Sequence, residues 1–434
     1  MSSPLVGTIF LIIAFIFVFI RMPIGMAFAS MGFLGLWFLK GLYPALTVLK
    51  TVPYTAMTMY VWTVIPLFVF MGYMAQHTGL AQDFYEGVRR WVGHFRGGLA
   101  TAVILGNTAF GACTGDSISS SITFLTMSLP EMRKYGYSDS LTLGSVAGGC
   151  QLAVLIPPSL PFILYGAVTN VSIGKLFMAG MIPGFILAAI YIGAISLMCF
   201  RNRDLGPPGP RTTLREKFGA AKGMWAIIVL FVVIIGGIYM GLFSPTEAGA
   251  AGAFVVFLLG IVSRRLNWNV FVTALRDTGR TVPVIGLLVI GTQIFNRLLV
   301  MSGLPSSIAG ILGGMTSSPV VFLMITLVVF VILGAFLDAL SLTLIMVPIL
   351  HPVAMAMGID PIHYGTLFVI VLAMGTLTPP YGIVVYAMSG AAKDISIFTI
   401  FRGVLPFVIA MLILALLVIF VPQIALFLPG KMMG

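Results

Sequence analysis

Apolar runs of twenty residues or so follow one another through the whole of this chain, near positions 4–21, 23–48, 55–75, 137–166, 173–200, 223–243, 245–263, 281–301, 318–345, 362–390 and 403–429. A bilayer core about 30 Å thick is spanned by about 20 apolar residues in a helix, so each run is long enough for a crossing or part of one. With 59% hydrophobic and 8% charged residues, the 434-residue chain has too little polar surface to close around a water-soluble core. The pattern predicts an all-α polytopic membrane protein with ten to twelve crossings or part-crossings.

A formal charge of +11 would suggest a polyanionic partner if it were spread over a soluble surface. Here Arg201, Arg203, Arg211, Arg215, Lys217 and Lys222 gather in one polar stretch around "GPPGP", and Arg264 with Arg265 marks another helix end. The positive-inside rule puts that stretch in the cytoplasm, so the charge reports orientation and no nucleic-acid partner is expected. Cys113, Cys150 and Cys199 are too few and too scattered for a disulfide framework or a metal site. The N-terminus lacks the basic region and small-residue cleavage site of a signal peptide, so the first run is expected to remain as a span.

The chain repeats itself. A shift of 222 residues lays Asp116 on Asp338, Ser119 on Ser341, Pro130 on Pro352, Gly136 on Gly358, and Pro157–Pro158 on Pro379–Pro380. Upstream the offset drifts to 224, where "TGLAQD" at 78–83 meets "SGLPSS" at 302–307. Each half holds a polar-interrupted apolar stretch followed by a long apolar helix broken by paired prolines, 98–127 and 137–166 in the first, 325–350 and 362–390 in the second. Two successive prolines remove backbone donors and open a helix. The freed carbonyls survive in a membrane only where they face protein, water or a cation. Matched broken segments in two halves point to a secondary transporter's binding site near the midplane.

The polar stretch "GNTAFGACTGDSISSS" interrupts a segment too long for one straight span, and reads as a helical hairpin that enters the membrane and returns by the same face. Gly106, Gly111 and Gly115 allow a tight turn, and the hydroxyls can satisfy freed backbone groups. The second hairpin, "GAFLDALSLTL" from Gly334 to Leu344, keeps the aspartate with fewer hydroxyls. "LAQDFYEGVRRWVGHFRG" at 80–97 reads as an amphipathic interfacial helix anchored by Trp91 and its basic residues. Glu247 in "SPTEAGA" fits a helix start, with Pro245 in the first turn.

The ordered motifs "PLFVFMGYMAQHTGLA" (66–81), "GDSISSS", "PEMRKYGY" (130–137), "LIPPS" (155–159), "YGAVTNVSIGKLFMAGMIPG" (165–184), "SPTEAGA" (244–250), "GAFLDALS" (334–341) and "TLTPPYG" (376–382) resemble the large membrane subunit of tripartite ATP-independent periplasmic (TRAP) transporters. The resemblance covers essentially the whole chain. It implies an elevator-type fold of two inverted-type repeats, in which a mobile domain of two hairpins and two broken helices moves against a scaffold. The corresponding division is 1–97 and 223–317 for the scaffold, 98–200 and 318–402 for the two transport halves, 201–222 for a cytoplasmic basic loop and 403–434 for a C-terminal helix. It further implies sodium-driven uptake, with two or more ions per cycle, of a small carboxylate such as a C4-dicarboxylate or sialic acid, across the bacterial inner membrane. A periplasmic substrate-binding protein would deliver the substrate, and a small four-helix membrane subunit would complete the permease; both are expected as separate chains.

Sodium wants about five or six oxygens, which neutral carbonyls and hydroxyls can supply without the desolvation cost of a carboxylate. On the implied pattern, site one draws on Thr114 and Ser117 at the first hairpin tip with carbonyls of Ala153, Ile156 and Pro158. Site two draws on Gly334, Gly375, Thr378 and Tyr381. Ala153 departs from the family, which often has glycine there, while its repeat mate Gly375 keeps it. The competing reading is that such residues only kink helices and let them pack closely.

Asp116 and Asp338 are membrane-embedded carboxylates, costly on insertion scales by about 2.5–3.5 kcal/mol, and three roles compete for them: neutralising sodium, capping the amides of the hairpin turn, or coupling protons. Arg297 in "GTQIFNRLLV" could hold the substrate's carboxylate bidentately, or could snorkel from the nearby end of its run. Asn296, Ser172, Ser119 and Ser120 are further substrate candidates. Two other classes remain open. A binding-protein-independent sodium/dicarboxylate or citrate elevator symporter would share most of these features, whereas an intramembrane aspartyl protease would use the two aspartates but leave the duplicated prolines unexplained. Nothing in the sequence suggests a channel's polar pore lining.

Overall fold

The computed structural model describes residues 3–20, 22–210, 212–315 and 318–432, and among them every regular element is helical. Seven helices are long and apolar enough to cross a membrane, and eight if the bent pair Leu42–Thr58 and Tyr60–His77 counts as one span; shorter apolar helices accompany them. The first part of the chain runs through α1 (Ser3–Phe19), α2 (Ile24–Lys40), α3 (Leu42–Thr58), α4 (Val64–His77) and α5 (Leu80–Val92). Helix α5 has the amphipathic character read from sequence. It buries Leu80, Ala81, Tyr85 and Val88, and carries Glu86 between the guanidinium groups of Arg89 (2.6 Å) and Arg90 (2.9 Å).

Next comes a hairpin of α6 (Gly98–Thr114) and α7 (Ser117–Lys134), then a helix broken into α8 (Asp139–Leu155) and α9 (Leu160–Thr169), then the long α10 (Ile173–Arg201). After α11 (Leu214–Phe231), α12 (Gly237–Tyr239), α13 (Pro245–Val262), α14 (Trp268–Ser302) and α15 (Leu304–Met315), the pattern recurs. A second hairpin, α16 (Pro319–Gly334) and α17 (Ala339–Ala356), is followed by a second broken helix, α18 (Pro361–Gly375) and α19 (Ile383–Ala391), and by α20 (Ile397–Phe420). The shift of 222 found in the sequence carries Ser117–Lys134 onto Ala339–Ala356 end for end. Both breaks contain a cis Pro–Pro bond, at Pro157–Pro158 and Pro379–Pro380.

Two boundaries differ from the sequence reading. The returning arm of the first hairpin extends past position 127 to Lys134, because Pro130 removes a single helical hydrogen bond without stopping the helix. The stretch 201–222 is not all loop. The hydroxyl of Thr213 accepts from the amide of Glu216 (3.3 Å), whose carboxylate accepts from the amide of Thr213 (2.7 Å), and this reciprocal cap starts α11 at Leu214. Arg215, Lys217 and Lys222 therefore lie on a helix. The remaining loop is laced to its surroundings: the Gly97 amide donates to the Gly206 carbonyl (3.0 Å), that of Gly209 to Gly93 (2.9 Å) and that of Ser138 to Leu205 (3.1 Å).

Helices α8 and α18 occupy the centre. Every residue from Leu141 to Leu155 in α8 and from His363 to Gly375 in α18 is buried, which suits helices apolar on all sides. Each is approached closely by an arm of its own hairpin. A side chain on Gly111 of α6 would collide with Ala153, and one on Gly334 of α16 would press on the backbone of Gly375. The halves also join at one end, where Arg133 binds Asp139 (2.8 Å) at the start of α8 and Asp394 (2.7 Å) beyond α19. The hydrogen bond from Arg133 holds the Asp394 carboxyl below the usual aspartate range, so the tie persists at pH values where a free aspartate would already take up a proton.

A separate close crossing joins α2 and α14, with Phe28 and Phe295 edge to face at 4.8 Å. A Cβ on Gly291 would strike the carbonyl of Gly25. Gly291→Val should therefore force these helices apart and destabilise the fold by about 1–3 kcal/mol, the usual cost of overpacking. A lowered melting temperature of the detergent-solubilised protein is the expected readout, and an unchanged one would mean that the crossing is not tight.

Candidate functional site

The first hairpin turns on two residues. Gly115 takes the left-handed conformation (φ +61°), which costs glycine nothing, and Asp116 then caps α7 with its carboxylate accepting from the Ser119 amide at 2.8 Å. At the second tip the carboxylate of Asp338 accepts from the amides of Leu340 (3.0 Å) and Ser341 (3.1 Å) and from the Ser341 hydroxyl. Both aspartates thus cap a helix at equivalent positions. Neither has a cationic partner among the described ion pairs.

Each tip meets the break of its own half. The Leu160 amide donates to the Gly115 carbonyl (3.4 Å), and the Gly382 amide donates to the Ala335 carbonyl (2.9 Å); Leu160 and Gly382 are mates under the 222-residue shift. A Cβ on Gly115 would stand 2.8 Å from the Pro158 carbonyl oxygen, so that oxygen faces the tip. Pro157 has no N–H for the carbonyl of Ala153 four residues back, and Pro379 has none for the carbonyl of Gly375. Val154 in the same turn is compensated by the Ser159 hydroxyl, and the carbonyl of Gly375 by the Thr378 amide (3.0 Å). Thr114 and Ser117 are buried at the first junction, and the Ser117 hydroxyl has no hydrogen-bond partner among the described residues. At the second junction the Thr378 hydroxyl donates to the Met374 carbonyl (2.8 Å), and Tyr381 stacks on Tyr386 at 4.2 Å. Among the described residues no cluster of three or more His, Cys, Asp or Glu is placed to hold a metal ion. The oxygens at these junctions are carbonyls and hydroxyls, with a carboxylate nearby.

Beside the tips lies a cavity of about 360 Å³. Thr114, Asp116 and Ser119 line it from the first hairpin, Leu340 from the second, Tyr73 and Gln76 from α4, and Arg280 with Thr281 from α14. The Tyr73 hydroxyl bonds that of Thr281 (2.8 Å) and His77 bonds Asp277 (2.9 Å), fixing α4 against α14, while Gln76 donates to Thr123 of the hairpin (3.1 Å). Of the substrate candidates, Ser119 lines this cavity. Ser120 bonds Asn107 between the hairpin arms (3.2 Å), and exposed Ser172 caps α10 by accepting from the Lys175 amide (3.4 Å). Arg297 is exposed on α14, 17 residues beyond Arg280, which is about 25 Å along a helix. Next to it, the buried side-chain oxygen of Asn296 has no partner. Tyr73, Gln76, Arg280 and Thr281 are polar residues of the cavity that the sequence did not mark. Arg280 precedes an apolar run and looks like an ordinary helix foot until packing brings the hairpin beside it.

The structure is that of a multi-pass helical membrane protein with two matched hairpin and broken-helix units and a cavity beside the hairpin tips. The chain belongs to the family described as the tripartite ATP-independent periplasmic transporter, DctM component, which matches residues 11–424. It is 34% identical to the sialic acid TRAP transporter large permease protein SiaM of Vibrio cholerae, over 85% of this chain and 86% of that one. It is 33% identical to the C4-dicarboxylate TRAP transporter large permease protein DctM of Pseudomonas aeruginosa, over 86% of each. Its fold also matches the crystal structure of the YdaH transporter of Alcanivorax borkumensis, with a TM-score of 0.60 at 17% identity over 87% of this chain and 89% of that one. The proteins it resembles are transporter permeases, and the chain is a transport protein, not an enzyme.

The caps yield a direct test. Asp338→Ala should lower stability by about 0.5–2 kcal/mol while Asp338→Asn, which still accepts from the two amides, should recover most of it. Thermal unfolding of the purified protein compares the two, and equal losses would mean that capping is not what Asp338 contributes to the fold.

Proposed function

We propose that this chain carries out sodium-coupled uptake of a small organic acid across the bacterial inner membrane by an elevator motion, with a small four-helix membrane subunit and a periplasmic binding protein as partners. The observation that carries the reading is the pair of equivalent tip–break junctions, the first of which borders the cavity. Each brings helix ends, hydroxyls and the backbone carbonyls of a proline break together beside a half-buried capping carboxylate. Two half-buried carboxylates within a membrane protein, neither with a cationic partner among the described ion pairs, are costly, and a bound cation at each junction offsets that cost. Family membership supports the partners and the inner-membrane location, and the named relatives handle sialic acid and C4-dicarboxylates, both of which are carboxylates.

In this reading Thr114, Ser117 and the carbonyls of Ala153, Ile156 and Pro158 hold one sodium ion, and Gly334, Gly375, Thr378 and Tyr381 hold the other. Asp116 and Asp338 cap their helices and supply negative potential to the ions. The two hairpins and broken helices travel together, tied at one end by Arg133, and α4 and α14 form the wall against which they move. Arg280 is the cationic side chain at the cavity and takes the substrate's carboxylate; Arg297, far along the same helix, does not.

Proteoliposomes containing the chain, its small subunit and the binding protein test this. Uptake should collapse when sodium is replaced by choline, and Ser117→Ala or Thr378→Ala should raise the sodium concentration for half-maximal uptake. Arg280→Gln should weaken substrate affinity by about 10- to 100-fold, the worth of one charge-assisted hydrogen bond, while Arg297→Gln stays near the unmodified value. Equal effects of the two arginine variants would remove Arg280 from the site. Two sodium ions moving with a monoanion carry net positive charge, so inside-negative potential should favour accumulation by about 2.3 kcal/mol per 100 mV. Accumulation without any binding protein would instead favour a stand-alone sodium/dicarboxylate or citrate symporter.

A further inference from the structure

The buried centre of the molecule contains an amide that belongs to neither ion site, its nitrogen reaching only the neighbouring Cys150 Sγ at 3.5 Å. Gln151 lies on α8, fully buried, in a turn whose neighbours Leu152 and Val154 are apolar. Its side chain reaches across to α18, where its oxygen stands 3.4 Å from the hydroxyl of Thr376, itself buried at the start of the second break. That hydroxyl already donates to the Ala373 carbonyl at 2.8 Å, and it has one proton. Turning the amide by half a turn resolves the conflict: its nitrogen gives up the weak contact with Cys150 Sγ (3.5 Å) and donates to the Thr376 oxygen, whose own hydrogen stays on the Ala373 carbonyl. The result is a hydrogen-bonded chain from α8 through Gln151 and Thr376 to the last turn of α18, across a contact that is otherwise apolar.

The position of this chain gives it a consequence. Gln151 is two residues from Ala153, whose carbonyl loses its helical donor at Pro157, and Thr376 directly follows Gly375, whose carbonyl loses its helical donor at Pro379 and accepts from the Thr378 amide instead (3.0 Å). An ion that draws in the carbonyls of one break reorients the turn bearing Gln151, and the amide bridge carries that movement to the turn bearing Thr376. We propose that Gln151 is a positioning residue that couples the two sodium sites, so that filling one raises the affinity of the other. This rests on the sodium reading above. The two halves differ here, since the repeat mates of Gln151 and Thr376 are Ala373 and Val154, so a single bridge serves both junctions.

Equilibrium sodium binding to the purified complete permease, which is not made sigmoidal by a transport step that needs both ions, reads the coupling. In the unmodified protein it should be steep, with a Hill coefficient of about 2, falling toward about 1 in Gln151→Leu and in Thr376→Val. The double variant should be no shallower than either single one, because both remove the same bridge. Thr376→Ser, which keeps the hydroxyl, should restore the steep curve; a purely structural role would instead shift melting temperature and leave the curve's shape unchanged. If Gln151→Leu does not fold, the Thr376→Val and Thr376→Ser pair decides. An unchanged Hill coefficient in folded Thr376→Val, or a serine variant as shallow as the valine one, overturns the proposal while leaving the sodium sites standing. Absence of sodium binding by the unmodified protein would instead remove the sodium reading, and the coupling with it.

Discussion

Everything in this fold depends on where backbone carbonyls go when a helix is broken inside a membrane protein. A polypeptide surrounded by hydrocarbon must satisfy its own polar groups, and intact helices do this without help. Paired prolines at 157–158 and 379–380 deny partners to the preceding turns, and the chain answers by bringing a hairpin tip to each break. The tips in turn expose helix amides, which Asp116 and Asp338 cap. Breaks, tips and caps therefore form one unit, and none of its parts is tolerable without the others.

The two copies of that unit have diverged in instructive ways. In the first, Gly111 faces Ala153; in the second, Gly334 faces Gly375. The methyl group of Ala153 fits because Gly111 opposite it carries no side chain. The first tip carries Ser117, Ser119, Ser120 and Ser121, whereas Ala339 takes the place of Ser117 in the second, so the first is the more polar junction. Its greater polarity matches its position on the cavity, which Thr114, Asp116 and Ser119 line.

Much of this was legible in the sequence because membrane helices are punctuated by residues with few alternatives. Proline pairs, an Asp followed by hydroxyls, and glycine at a turn have local physical effects, and their recurrence at one offset identified the hairpins, the broken helices and the family. What sequence could not reveal depended on packing. Arg297 drew attention by standing alone after an apolar run, yet it is Arg280, in the first half of the same helix, that borders the cavity. Tyr73 and Gln76 sit in an unremarkable apolar run and matter only because α4 packs beside the first tip. The basic stretch at 201–222 looked like loop by composition, and only the Thr213–Glu216 cap reveals that half of it is helix.

The central claim is that each tip–break junction holds one sodium ion. Equilibrium binding of radioactive sodium to the purified chain with its small subunit tests this without substrate, binding protein or membrane potential. The account predicts saturable binding of two ions per chain, reduced to one when Ser117 is replaced by alanine at a sodium concentration that saturates the unmodified protein. Absence of saturable sodium binding would contradict it.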